Sequence, residues 1–264
     1  MDLQLQNKRA LVSGSSAGIG FAIAEALARE GAAVVINGRS AERLEAAAKK
    51  IRSSGAKGEI TISAADLATK AGVEDLLRQV PSVDILVNNL GMYFPKPFEE
   101  TTDEDWLKIF EVNVLSGIRL SRAYLPGMKE RNWGRVIFIS SESGINIPVE
   151  MIHYGMTKTA QLAVSRGLAE TTAGTGVTVN SVLPGPTRSE GVEQFVEDMA
   201  RTRKTDAASV EKEFFKSVRP SSLLKRFATP EEVAALVTFV ASPLSSATNG
   251  AALRVDGGVV RSAF

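Results

Sequence analysis

The chain has 264 residues, 31 basic against 30 acidic side chains, one histidine and no cysteine. Lack of cysteine excludes a disulfide scaffold, a thiol nucleophile and cysteine-ligated metal, and one histidine excludes a multi-histidine site, so no metal is expected. A formal net charge of +1 speaks against nucleic acid as a partner, because phosphate binding needs a clear basic excess.

Residues 1–9 are polar and lack the apolar run of a secretory signal, and the apolar stretch 233–241 is too short to cross a bilayer. A soluble, cytoplasmic protein without a membrane partner is expected. The first strand, 9–12, leads into Ser13-Gly14-Ser15-Ser16-Ala17-Gly18-Ile19-Gly20 and a helix over 19–30. Glycines allow a tight turn and close backbone approach, and the N–H groups at the helix start attract a pyrophosphate. The same residues also spell G-x-S-x-G, a nucleophile elbow centred on Ser16. A hydrolase would need His153, the only histidine, as its base and an upstream strand–loop for its second oxyanion donor. The first strand of a sheet has no such loop.

The second strand, 33–37, ends in Ile36-Asn37-Gly38-Arg39-Ser40. Where dinucleotide folds carry an acid for the ribose 2′-hydroxyl, no acid stands, and Arg39 follows. A guanidinium binds a 2′-phosphate by charge-assisted hydrogen bonds, whereas the helix dipole disfavours a merely decorative arginine there. NADP(H) is therefore expected over NAD(H). Ser40 caps a helix over 41–53. There follow a strand at 58–63, a helix at 70–79, a strand at 84–88, a helix over 103–129 and a buried strand at 135–140. A helix at 154–173, a strand at 177–182, a helix at 230–241 and a strand at 252–255 complete the series. This alternation predicts an α/β fold: a single-domain, Rossmann-type doubly wound parallel sheet with helices on both faces. Residues 187–228 break the rhythm after Pro184-Gly185-Pro186. With nine basic and seven acidic residues they read as a helical substrate lid or, alternatively, a solvated helical hairpin.

Ser141 stands at the exit of the buried strand, and Tyr154 and Lys158 lie four residues apart on one helical face. A free tyrosine titrates near pH 10, so work at neutral pH requires roughly 4 kcal/mol of preferential phenolate stabilisation. A nearby lysine and a positively charged nicotinamide could supply it.

These residues, with Asp66-Leu67, Asn88-Asn89-Leu90-Gly91, Asn113, Asn180, Pro184-Gly185 and Asp256-Gly257-Gly258, closely resemble the short-chain dehydrogenase/reductase family and its 3-oxoacyl carrier-protein reductases. The resemblance covers essentially the whole chain. It implies that Tyr154 is the general acid or base, Ser141 holds the carbonyl oxygen, and Lys158 holds the nicotinamide ribose and lowers the tyrosine pKa. Ser141 is preferred to Ser140 because twelve residues between serine and tyrosine match the family pattern. Asn113 would kink its helix and anchor a water relaying protons from Lys158. The resemblance further implies pyrophosphate near Gly14, Ser16, Ile19 and Gly20, adenine by Asp66 and Leu67, ribose by Asn89 and Gly91, and the nicotinamide amide by Gly185 and Thr187. Relatives are usually homotetramers.

Departures are visible as well. Leu90 replaces the alanine of N-N-A-G, Ala17 stands where many NADP-preferring relatives have a basic residue, and Thr175 where carrier-protein reductases often carry an arginine. Pocket candidates are Met92, Tyr93 and Phe94, residues 142–151 and the 187–228 segment. Glu142 would meet a polar substrate or point to solvent, and His153 would touch substrate or serve structure. The expected activity is interconversion of a ketone and a secondary alcohol with NADP(H). The alternatives are an NAD-dependent dehydrogenase of a sugar, polyol or steroid alcohol, and a non-catalytic NADP-binding sensor or scaffold.

Overall fold

The computed structural model describes residues 1–263. Across its single sheet lie β3 (Ile60–Ala64), β2 (Ala33–Gly38), β1 (Arg9–Val12), β4 (Ile85–Asn88), β5 (Gly134–Ile139), β6 (Val177–Pro184) and β7 (Ala252–Val255), all pairs parallel. The chain starts in the middle, winds outward to β3, then returns past β1 to build the other half. Strand order reverses between β1 and β4, and in such sheets a crevice opens there at the carboxyl ends of the strands.

Side-chain alternation explains the two-sided burial. Ala10 and Val12 of β1 enter one core with α1 (Gly18–Arg29), α2 (Ala41–Ser53) and α9 (Pro230–Ala241), while Leu11 enters the other. That second core joins α3 (Lys70–Gln79), α5 (Ser116–Glu130) and α6 (Ile152–Glu170). β4, β5 and β6 are buried along their whole length, which is why Ile85–Val87 and Val136–Ile139 read as unbroken apolar runs, while β6 buries Thr178, Asn180 and Ser181 among its apolar residues. No helix among the described residues is long and apolar enough to cross a membrane.

Three regions differ from the sequence expectations. The third strand begins at Ile60 rather than 58, because Gly58 is pressed against the segment before β2: its N–H donates to the Ala28 carbonyl and a Cβ there would lie 1.8 Å from the Ala32 carbonyl oxygen. The helix expected over 103–129 is two, α4 (Asp103–Phe110) and α5, joined by a π-helical turn at Glu111–Leu115. Between 187 and 228 the chain forms α7 (Glu190–Arg203) and α8 (Ala207–Ser217). Val196, Ala200, Val210, Phe215 and Phe227 give this hairpin an apolar core of its own. Thr187 bridges to Ala228 at its base.

Candidate active site

The glycine turn after β1 is held from both sides. Asn89 donates from its side-chain amide to the Ser13 and Gly14 carbonyls at 2.9 and 3.0 Å, and the Ser13 hydroxyl accepts the Asn89 and Leu90 N–H groups at 2.9 Å. Gly14 and Gly18 have φ of 62° and 59°, which a side chain would strain. A Cβ on Gly20 would lie 2.4 Å from the Gly14 carbonyl oxygen. The helix that starts here is uncapped: Ala17 offers no side-chain acceptor, whereas Ser40, Thr69, Thr102, Asp206 and Thr229 cap α2, α3, α4, α8 and α9. The first N–H groups of α1 are therefore open to an anionic ligand at the sheet's switch point.

β5 delivers two adjacent serines with different duties. The Ser140 hydroxyl donates to the Lys158 carbonyl at 2.8 Å, tying β5 to α6. Ser141 instead meets the Tyr154 side chain, and its oxygen also accepts the Ser143 N–H at 3.1 Å. Burial pushes the Tyr154 phenol up to about 12, with the Ser141 hydrogen bond pulling the other way. Lys158 lies one turn on, its Nζ 5.6 Å from the centre of the Tyr154 ring. Burial pulls its ammonium down to about 7. Two of its three protons are occupied, by the Ile139 carbonyl at 2.8 Å and Gln161 Oε1 at 3.2 Å.

Asn113 sits in the π-turn and anchors the far wall. Its side chain accepts the Met92 N–H at 2.7 Å, and donates to the Met92 carbonyl at 2.9 Å and the Thr157 hydroxyl at 3.0 Å. Its own carbonyl accepts from Gln161 Nε2 at 2.6 Å. Gln161 thus bridges Lys158 to the π-turn, a link that the sequence reading missed. Its position three residues past Lys158 was the available signal, since i and i+3 share a helical face. A Cβ on Gly91 would lie 3.5 Å from Lys158 Nζ and 3.6 Å from Asn113 Oδ1, so the missing side chain leaves room beside the ammonium.

Around the rest of the crevice, Arg39 is exposed at the end of β2, and Asp66 is exposed beside the buried Leu67. The backbone at Gly185 runs close to Asp256, and Thr187 donates to the Gly185 carbonyl at 2.9 Å. Ser16, Gly18, Arg43 and Lys50 line a cavity of about 400 Å³ with Glu190, which pairs with Arg43 at 3.3 Å. Glu142 is 3% exposed and so does not point to solvent. His153 is buried against Phe94 at 4.5 Å and Trp106 at 5.9 Å, an aromatic setting that lowers its pKa by desolvation. Ser16 packs near Gly38 and Arg43, so the serine and histidine of the elbow reading have different surroundings.

Residues 8–200 match the short chain dehydrogenase family. The uncharacterized oxidoreductase YvaG of Bacillus subtilis is 50% identical over 264 residues, covering 100% of both chains. The 3-oxoacyl-acyl-carrier-protein reductase FabG of Aquifex aeolicus is 35% identical, covering 98% of this chain and 100% of that protein. Among solved structures, L-sorbose reductase from Gluconobacter frateurii, complexed with NADPH and L-sorbose, superimposes with a TM-score of 0.93 at 31% identity, over 99% of this chain and 100% of that one.

Proposed function

The chain belongs to the short-chain dehydrogenase/reductase family, and from that premise we propose that it reduces a ketone to a secondary alcohol with NADPH, or runs the reverse, using Tyr154 as general acid–base. The observation that carries this reading is the Ser141–Tyr154–Lys158 constellation at the carboxyl end of β5. Burial raises the phenol to about 12 instead of lowering it, so Tyr154 keeps its proton at neutral pH, and the charge on Lys158 must ease that proton toward a carbonyl oxygen. Ser141 orients that oxygen, while Lys158 brings positive charge beneath the ring. The bound nicotinamide supplies or accepts the hydride.

The uncapped α1 start, Gly14 and Gly18 suit a pyrophosphate, and the space at Gly91 beside Lys158 suits a ribose. Preference for NADP(H) rests on Arg39 and on the absence of a carboxylate at the end of β2. Arg43 and Lys50, which line the cavity beside Ser16, add positive charge where Ala17 adds none. The NADPH bound to L-sorbose reductase supports the same choice.

Fluorescence titration with NADPH and NADH tests the cofactor assignment. NADPH should bind at least tenfold tighter, and Arg39→Ala should remove about 1.4 kcal/mol or more of that preference. Equal affinities would sink the role of Arg39 and favour an NAD-dependent dehydrogenase.

A further inference from the structure

Glu142 stands next to the proton-donating centre and has no task in the chemistry described so far. It directly follows Ser141 and is 3% exposed. Its Oε1 accepts Arg219 Nε at 3.0 Å and the Ser143 hydroxyl at 3.3 Å. Its Oε2 is buried and meets no hydrogen-bond donor among the described residues. Arg219 comes from just beyond α8, and its other arm reaches Glu150 Oε1 at 3.5 Å. Glu142 directly follows the serine that meets the Tyr154 side chain, and the Ser143 N–H donates to that same serine, so this array adjoins the group that would meet the substrate oxygen.

A buried carboxylate is costly unless each oxygen finds a donor, and Arg219 answers only half of that demand. Burial raises the Glu142 pKa while Arg219 pulls it down, and Glu150 shares the one guanidinium, so no cation is left over there for an anionic group. A carboxylate or phosphate on the substrate would find no partner there, whereas a hydroxyl, being a neutral donor, would complete Oε2. An alkyl or acyl chain in the same place would leave the oxygen unpaired.

We propose that Glu142 Oε2, held in place by Arg219, accepts a hydrogen bond from a substrate hydroxyl next to the reacting carbonyl, so that the substrates are hydroxyketones and the vicinal diols formed from them. This inference rests on the reductase reading above and names its substrate class. The fixed ion pair pre-orients the acceptor, and a site built to bond a hydroxyl discriminates strongly against an analogue that lacks it.

Dihydroxyacetone and 3-pentanone have the same heavy-atom shape, with two hydroxyls in the first where the second has two methyls, so dihydroxyacetone alone presents a hydroxyl beside the carbonyl, whichever way it enters. NADPH-dependent reduction of both is measured for wild type and Glu142→Leu. The variant should lose at least tenfold in the ratio of kcat/KM for dihydroxyacetone to that for 3-pentanone, mainly through KM, with NADPH affinity as its control for folding. In Tyr154→Phe protein loaded with NADPH, dihydroxyacetone should perturb the cofactor fluorescence at lower concentration than 3-pentanone does, a comparison free of turnover. Should the leucine variant not fold, Glu142→Gln, which keeps an oxygen for Arg219, should shift selectivity the same way. Equal losses on both ketones, or none on dihydroxyacetone, would overturn the subsite and leave the reductase reading intact. Wild-type protein that binds NADPH but reduces neither ketone would overturn both.

Discussion

Lys158 is stripped of water by its surroundings, and its ammonium is kept by two carbonyl oxygens, those of Ile139 and Gln161. On the proposed mechanism, reduction needs Tyr154 protonated and Lys158 charged. Tyr154, near 12, holds its proton over the working range, so Lys158, near 7, sets the pH dependence. The lysine loses its charge as pH rises, and the rate of ketone reduction should fall through neutrality. Gln161→Leu takes one acceptor away from the ammonium, lowers its pKa further, and should move that fall about half a unit or more to lower pH. A pH–rate profile with an unmoved midpoint would remove Gln161 from the site. Tyr154, Lys158 and the glycine turn were legible in the sequence because each pattern lies within one helix or turn, where spacing alone makes neighbours. The partnership of Glu142 with Arg219 was not, since it joins residues 77 apart that only the folded α7–α8 segment brings together.

The first turn of α7 lies against the glycine turn and Tyr93. A Cβ on Gly18 would meet Ser189 at 3.5 Å, Glu190 pairs with Arg43, and a Cβ on Gly191 would lie 3.8 Å from the Tyr93 hydroxyl. On the NADP(H) reading, Glu190 holds in the free protein a cation that a 2′-phosphate would also claim. Glu190→Gln should tighten NADPH binding about two- to fivefold at low salt and leave NADH unchanged, because the pair is exposed and its energy small and screened. Equal effects on the two cofactors, read by titration, would dismiss the competition. At this scale the sequence performed best where chemistry marks an end. α2 begins where Ser40 caps it, as expected, and α3 and α9 begin at the expected Lys70 and Pro230, where the structure shows Thr69 and Thr229 as their caps. The π-turn at Glu111–Leu115 carries no such mark in amphipathic periodicity, so one long helix was expected where two are joined.

Across the molecule, winding from the middle strand outward and back gathers the site. β1 brings the glycine turn, β4 leads to Asn89 and Gly91, and β5 ends at the two serines. α6, packed on the same core as β5 and β6, carries Tyr154 and Lys158 to the carboxyl edge of the sheet. β-Branched runs and helix-length spacings carry this topology in the sequence, and the parallel order follows from their alternation. The contacts that 187–228 makes with Gly18, Arg43 and Glu142 do not follow from them, because charge-rich helices read alike whether they cover a site or face solvent. The most direct measurement of the central claim pairs NADPH titration with ketone turnover on Tyr154→Phe. The account predicts that NADPH affinity stays within about threefold of wild type while turnover falls by at least a hundredfold, the weight general acid catalysis commonly carries. Turnover that survives the loss of this hydroxyl would contradict it.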